Sequence, residues 1–388
     1  MVINIIDRGF NFLGQIDNYE SLILSRSYHG IGNFELHLHE SNVYADKLQK
    51  ENIVYVDEKK AYIILFREID SITGKMVVKG LSLKAYLKRQ ITFPPEGEPY
   101  YQVEGDAETI MKGMVSANLS RKNIIQIVVA TNQHRGEVTT FQTRYKNLAE
   151  ELEKFSLATE LGWDITLDLT NKRFVFDVIA GRNLTAGQEI YPQAIFSLEY
   201  DNIVEQQLID SKLDYANTAV VGGQGELEWR VIEIIGDINA GLDSYEVFVD
   251  ASDIEYDEYL EDRGKQELAQ YKEVLNFDSK VDPTKNLRYE EDFDLGDVVT
   301  LKNGRWNITA DRRITGLTEI YESAGFKLEV DFGEGLPTVI DKIKRATDAP
   351  IMEGGSGAGI GLMNLDGGMA NTEYGGIDGI HGGDASGS

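Results

Sequence analysis

Residues 28–40 read YHGIGNFELHLHE, and the phase of this run decides how the first part of the chain is built. A β-strand projects alternate side chains to opposite faces. Phe34, Leu36 and Leu38 then share one face, and Glu35, His37 and His39 share the other. Two imidazoles at i and i+2 can both reach one cation, with a carboxylate as a third ligand. The familiar two-histidine strand motif also needs a downstream Glu, and those positions hold Asn42, Val43 and Tyr44. Its upstream glycine is missing as well. Only His29, His134 and His381 remain as further histidines, and the chain has no cysteine. The run therefore reads as an amphipathic antiparallel strand, apolar inward and polar outward. The His37/His39 metal pair is the disfavoured reading, and no metal or other cofactor is expected.

The same alternation recurs on both sides of this strand. NFLGQID, SLILSRSY, NIVYVDE, AYIILFREID and KMVVKGLSL are short strand-like runs separated by turn residues such as Asp17-Asn18 and Thr73-Gly74. Helical pieces are expected over 42–50 and 82–90, the second capped by Ser82. The close spacing of the strands suggests a small barrel-like domain over 1–90.

A Pro- and Gly-bearing stretch, ITFPPEGEPYYQVEGD, marks a boundary. Beyond it the character changes. Asp106 stands at a cap position, and Ile110, Met111, Met114, Val115 and Leu119 fall on one helical face. A strand is expected in NIIQIVVA, then a helix with Leu148, Leu152 and Phe155 on one stripe, then a hairpin about Asn171-Lys172. Residues 91–194 thus read as an α+β middle domain. Strands return over 195–349, a second β-rich domain with one long helix near 257–274. Residues 350–388 form a glycine-rich extension without the three-residue period of collagen.

Composition narrows the function. The chain has 388 residues with 38 basic and 65 acidic side chains, a net charge of −27. Such a surface repels phosphates, which argues against nucleic-acid binding. No basic-then-apolar leader opens the chain, and no apolar run reaches the ~20 residues of a membrane helix. GGSGAGIG lacks the strand-to-helix context and the Gly-Lys-Ser/Thr of a phosphate loop, and Gly222, Gly223 and Gly225 read as turn or bulge glycines. No Gly-x-Ser-x-Gly elbow occurs. The acidic run DASDIEYDEYLED is a solvated face and helix start. None of these motifs points to an enzyme.

Taken in order, ILSRSYHGIGNFELHL, GLSLKAYLKRQI, ANTAVVGGQGE, VFVDASDIE, YLEDRGKQEL, YEEDFDLGDVVTL and RRITGLTEIYESAGFKLEVDFGEGLPT resemble a family of siphophage tail hub proteins, related to the baseplate hubs of contractile tails. The resemblance spans roughly residues 1–340 and leaves out the glycine-rich end. It implies a β-rich α+β fold, two small β-barrel-like domains with α+β insertions. It further implies a homotrimeric structural protein in the virion tail, assembled in the host cytoplasm. Such a hub joins a sixfold tube and distal tail ring to a threefold tip, spike or receptor-binding device. Contact with a tape measure protein and passage of DNA without specific binding also follow. The alternatives are a tail-associated cell-wall hydrolase and a host-carbohydrate-binding tail protein. The motif residues read as structural. Gly32 permits a close approach into the strand and Phe34 and Leu36 fill the core, beside Glu35. Leu295, Gly296 and Asp297 make a turn in which Gly296 can take positive φ.

Overall fold

The computed structural model describes residues 1–237, 241–254, 256–282 and 285–333. The extension at 350–388 lies outside these. The first region holds β1 (Ile3–Ile6), β2 (Phe12–Ile16), β3 (Ser21–Ser27), β4 (Asn33–His39), β5 (Ile53–Tyr55), β6 (Ala61–Ile69), β7 (Lys75–Ser82) and α1 (Ala85–Lys88). Next come β8 (Tyr101–Asp106), α2 (Ala107–Lys122), β9 (Ile127–Val129), β10 (Val138–Thr143), α3 (Leu148–Thr159), β11 (Gly162–Asp168) and β12 (Arg173–Ile179). The last part holds β13 (Ile195–Ser197), β14 (Ile203–Ser211), β15 (Thr218–Gly222), β16 (Ile232–Gly236), β17 (Glu246–Asp250) and α4 (Leu260–Leu268). It ends with β18 (Val274–Val281), β19 (Val298–Asn303), β20 (Ile308–Glu322) and β21 (Gly325–Phe332).

The β4 alternation is realised as read. Phe34, Leu36 and Leu38 are buried, while Asn33 and His39 are exposed. β4 pairs with β3 on one side and β7 on the other, both antiparallel. This hairpin family extends into a 13-stranded sheet with the path β14-β18-β21-β20-β3-β4-β7-β6-β5-β1-β2, to which β13 and β19 attach. The link between the two β-rich regions is the β3–β20 pairing, with Ile23 opposite Ile320 and Leu24 opposite Glu319. The fold is β-rich α+β. Among the described residues neither region closes into a hydrogen-bonded ring of its own. The sheet continues from one region into the other because β20 and β3 satisfy each other's edges.

Both helical stripes of the middle region are core. Ile110, Met111, Met114, Val115, Leu148, Leu152 and Phe155 are buried in one cluster with Trp163 and Phe176. Ile6, Ile53, Ile63 and Leu83 of the first region belong to that same cluster. Asp106 caps α2 by accepting from Thr109 N, and Asn147 caps α3 by accepting from Ala149 N and Glu150 N. The β11–β12 hairpin turns at Lys172, whose φ is 50°. The long helix expected near 257–274 is broken into consecutive pieces, a 3-10 turn at Asp257–Tyr259, α4, and a second 3-10 turn at Ala269–Tyr271.

Two local expectations need correction. The helix expected over 42–50 is only a 3-10 turn at Ala45–Lys47, with no side-chain cap. Ser82 does not cap a helix. It is the last residue of β7, opposite Tyr62, and its N–H donates to Gly32 O at 2.8 Å. The strand ladder claims the backbone that a cap would have used.

Candidate functional site

The two sequence motifs, far apart in the chain, meet at the β3–β20 seam. Gly32 lies against β3 so closely that a Cβ would overlap the Ser25 carbonyl oxygen and crowd Arg26 Cα. The obstacle is backbone, which cannot rotate away. Gly32→Ala is therefore expected to destabilise the fold by about 2–3 kcal/mol in urea unfolding. The control is Gly187→Ala, exposed and with nothing within 4 Å of its Cβ, which should be near neutral.

From the residue that Gly32 accommodates, Arg26 Nη1 donates to Asp294 Oδ1 at 2.8 Å and to Tyr289 Oη at 3.3 Å. Asp294 also accepts from Lys59 Nζ at 2.8 Å. Asp294 immediately precedes the Leu295-Gly296-Asp297 turn, where Gly296 takes φ 91° and leaves no room for a side chain against the Tyr28 ring. Asp297, buried, receives Arg182 N at 2.7 Å and Arg182 Nη2 at 2.6 Å. The turn thereby ties β12's exit to the start of β19. Tyr28 completes the junction: its hydroxyl donates to Ile179 O at 2.8 Å.

A second charged group sits alongside. Lys60, 3% exposed, donates from Nζ to Glu319 at 2.9 Å and to Glu290 at 2.6 Å. Glu319, 1% exposed, also accepts from the Tyr289 hydroxyl at 2.8 Å and the Tyr321 hydroxyl at 2.5 Å. Burial alone would lower the Arg26 and Lys60 pKa values. Asp294, Tyr289 and Asp164 together outweigh it for Arg26, and Glu319 with Glu290 for Lys60, so both stand above their usual range. Burial would raise Asp294, yet Arg26 and Lys59 hold it below the ordinary carboxylate range. Lys84 is different. It is fully buried, donates to Ser27 O at 3.0 Å, lies 4.1 Å from the Trp163 ring centroid, and burial pushes it down to about 8.

Of the sequence-singled residues, Phe34 and Leu36 are core and Leu295 is buried. Glu35 faces outward and binds Lys79 Nζ at 2.8 Å and His37 Nε2 at 2.6 Å. His39 Nδ1 instead lies 2.8 Å from Ser41 Oγ. The two histidines therefore engage separate partners, and among the described residues no group of three His, Cys, Asp or Glu is arranged to hold a metal. The residues that motif reading missed are Lys59, Lys60, Tyr289, Asp294 and Glu319. A signal existed: in SLILSRS and LTEIYE, Arg26 and Glu319 occupy the inward phase of otherwise alternating strands.

A family profile for Siphovirus ReqiPepy6 Gp37-like proteins matches residues 2–334. The chain belongs to that family. No curated protein sequence matches it. Among solved structures, the tail protein of Neisseria meningitidis MC58 superposes with TM-score 0.55 at 13% identity, over 86% of this chain and 96% of that one. The 43 kDa tail protein of prophage MuSo2 from Shewanella oneidensis gives TM-score 0.55 at 12% identity, over 86% and 98%. The prophage tail protein gp18 of Listeria monocytogenes EGD-e gives TM-score 0.55 at 12% identity, over 89% and 98%. The Gp37-like chain thus has a fold shared with phage tail proteins, as its motifs led us to expect. The resemblance to siphophage tail proteins is met by family and by fold. No helix among the described residues is long and apolar enough to cross a membrane.

Proposed function

We propose that this Gp37-like chain is a structural, non-enzymatic virion protein: the trimeric hub at the distal end of a phage tail. In this reading it joins the sixfold tube and distal tail ring to a threefold tip, spike or receptor-binding device, with the tape measure protein above. It serves host attachment and genome ejection as a mount and a conduit.

The observation that carries the reading is the β3–β20 seam. Two β-rich regions separated by the middle domain act as one sheet, locked by Arg26–Asp294 and Lys60–Glu319. A ring of three subunits beneath a sixfold tube needs each subunit to offer two parts held rigidly together. We assign those parts to barrel-like domains at 1–90 and 195–349, with 91–194 as the α+β insertion and 350–388 as a docking extension. Three copies carry 3 × −27 = −81 charges, so the channel wall is acidic and lets DNA slide without adhering.

The test is the solution mass of the full chain by light scattering. A trimer gives about 130 kDa, three times 43.4 kDa. Electron microscopy with the distal tail ring protein should then show a threefold ring with an acidic lumen. A chain that stays at 43.4 kDa even with that ring protein would overturn the hub reading.

A further inference from the structure

Two surfaces outside the seam have opposite character. The first lies where three segments converge. Ile91 bridges Asn147, Thr92 N donates to Lys146 O at 2.8 Å, and Arg121 Nη2 donates to Ile91 O at 3.0 Å. This places Ile91, Phe93, Tyr145, Arg121 and Arg144 together on the exterior, all exposed. Phe93 and Tyr145 meet edge to face with centroids 5.0 Å apart. Arg121 covers Phe93 at 5.0 Å and Arg144 covers Tyr145 at 4.9 Å. Tyr145 holds φ 53°, a strained conformation for a tyrosine. Neither arginine has a carboxylate partner among the described residues, although the chain is strongly acidic. Tyrosine and arginine in such an arrangement are the residue types that dominate binding energy at protein interfaces.

The second surface is the outer face of the β16-β15-β17 sheet. Its inner face is buried on α4: Ala219, Val221, Ile235 and Val249 form one cluster with Leu260. The pairing register puts Val220 beside both Ile234 and Phe248 on the opposite side. There Ile232, Ile234 and Phe248 are exposed, and Trp229 at the sheet's end is 80% exposed. Exposed Glu226, Glu228 and Glu246 rim this apolar face. Its chemistry is apolar within, where Arg230 lies 5.3 Å over the Phe248 ring and is neutralised by Asp250, and acidic at the edge. It complements a patch that is aromatic within and basic at the edge.

A closed ring of identical subunits needs two different, mutually complementary faces on each subunit, whereas a twofold dimer uses one self-complementary face. We propose that the Phe93/Tyr145/Arg121/Arg144 patch of one copy docks on the Ile232/Ile234/Phe248 sheet face of the next, in a head-to-tail contact that closes the ring. This rests on the trimeric reading above and adds which surfaces make it.

The experiment uses the full chain with exposed substitutions: Arg121→Glu with Arg144→Glu on the patch, and Ile234→Asp with Phe248→Asp on the face. Unchanged circular dichroism and melting show that each variant is folded. Should the face variant unfold, Trp229→Asp, at the exposed end of the 3-10 turn Leu227–Trp229, replaces it. Each variant alone should fall from about 130 to 43.4 kDa, with the wild-type trimer weakened by raising NaCl from 0.1 to about 0.5 M. Mixed in equal amounts, the two variants retain one intact patch and one intact face between them. They should form a species of about 87 kDa, twice 43.4, and stop there. Folded variants that both remain trimeric overturn the docking proposal and leave the hub reading standing. A wild-type chain that never leaves 43.4 kDa overturns the proposal, and the hub reading is then judged separately with the distal tail ring protein.

Discussion

Replacing Lys60 by methionine is expected to lower the stability of the fold by about 3–5 kcal/mol, because it strands Glu319 without a counter-charge. Glu319 is 1% exposed and keeps only two tyrosine hydroxyl donors once the ammonium is gone. Burying a carboxylate without a cation is the costly half of a buried ion pair. The melting temperature should fall by on the order of 5–10 °C at pH 7. The double variant Lys60→Met with Glu319→Gln should recover a large part of the loss, since it removes both charges. A double variant no more stable than Lys60→Met alone would show that geometry at the seam, and not the uncompensated charge, sets the penalty.

The second large effect concerns His29. Its Nδ1 lies 2.7 Å from Ser156 Oγ, while the Ser156 hydroxyl donates to Leu161 O at 2.6 Å. With that proton committed, His29 is the donor and the ring is the neutral Nδ1–H form. Burial, aided by the charges of Lys84, Arg313 and Lys272, pushes its pKa down from 6.5 to about 3. The unfolded chain therefore binds a proton between those values that the folded chain refuses. His29 stabilises the fold fully above pH 6.5, and that contribution is lost progressively as pH falls toward 3. Over pH 7 to 4 this amounts to about 3 kcal/mol, at 1.36 kcal/mol per pH unit. His29→Asn keeps a side-chain amide donor but cannot titrate. It should be somewhat less stable at pH 7 and lose about 3 kcal/mol less than wild type by pH 4, measured by urea unfolding at each pH. Parallel pH profiles for the two chains would remove His29 from the acid transition.

Much of the local structure was legible because it follows from periods that short-range geometry enforces. The phase of NFELHLH put Phe34, Leu36 and Leu38 inside. Asp106 and the stripe from Ile110 to Leu119 marked α2 correctly. The start of α3 was less legible. The run RYKNLAEELEKFSLATE reads as helix from Arg144, but the backbone at Tyr145 and Lys146 pairs with Thr92, and the helix begins only after Asn147. Likewise Ser82, a fair cap by residue type, was taken into β7 by its neighbour strand.

The candidate site was legible only in halves. GIGNFELHL and DLGDVV each stood out as motifs. Nothing in either says that Arg26, six residues before Gly32, contacts Asp294, just before Leu295. Their juxtaposition depends on β3 and β20 pairing across a sequence separation of nearly 300 residues, which no local pattern encodes. The inward phase of Arg26 and Glu319 was the available clue, since a charge on a core face needs a partner.

The sequence by itself determined the strand and helix periods, the acidic surface, the absence of thiol chemistry and the family. The first three follow from composition or from spacing within one element, and the family from the resemblance of an ordered set of motifs along the chain. Tertiary structure decided that two β-rich regions form one sheet and that their inward charges neutralise one another. It also decided that a basic aromatic patch and an acidic-rimmed apolar face point outward. Those outcomes depend on which strand edges meet, and strand edges are chosen by global packing, with little guidance from the residues of either strand alone.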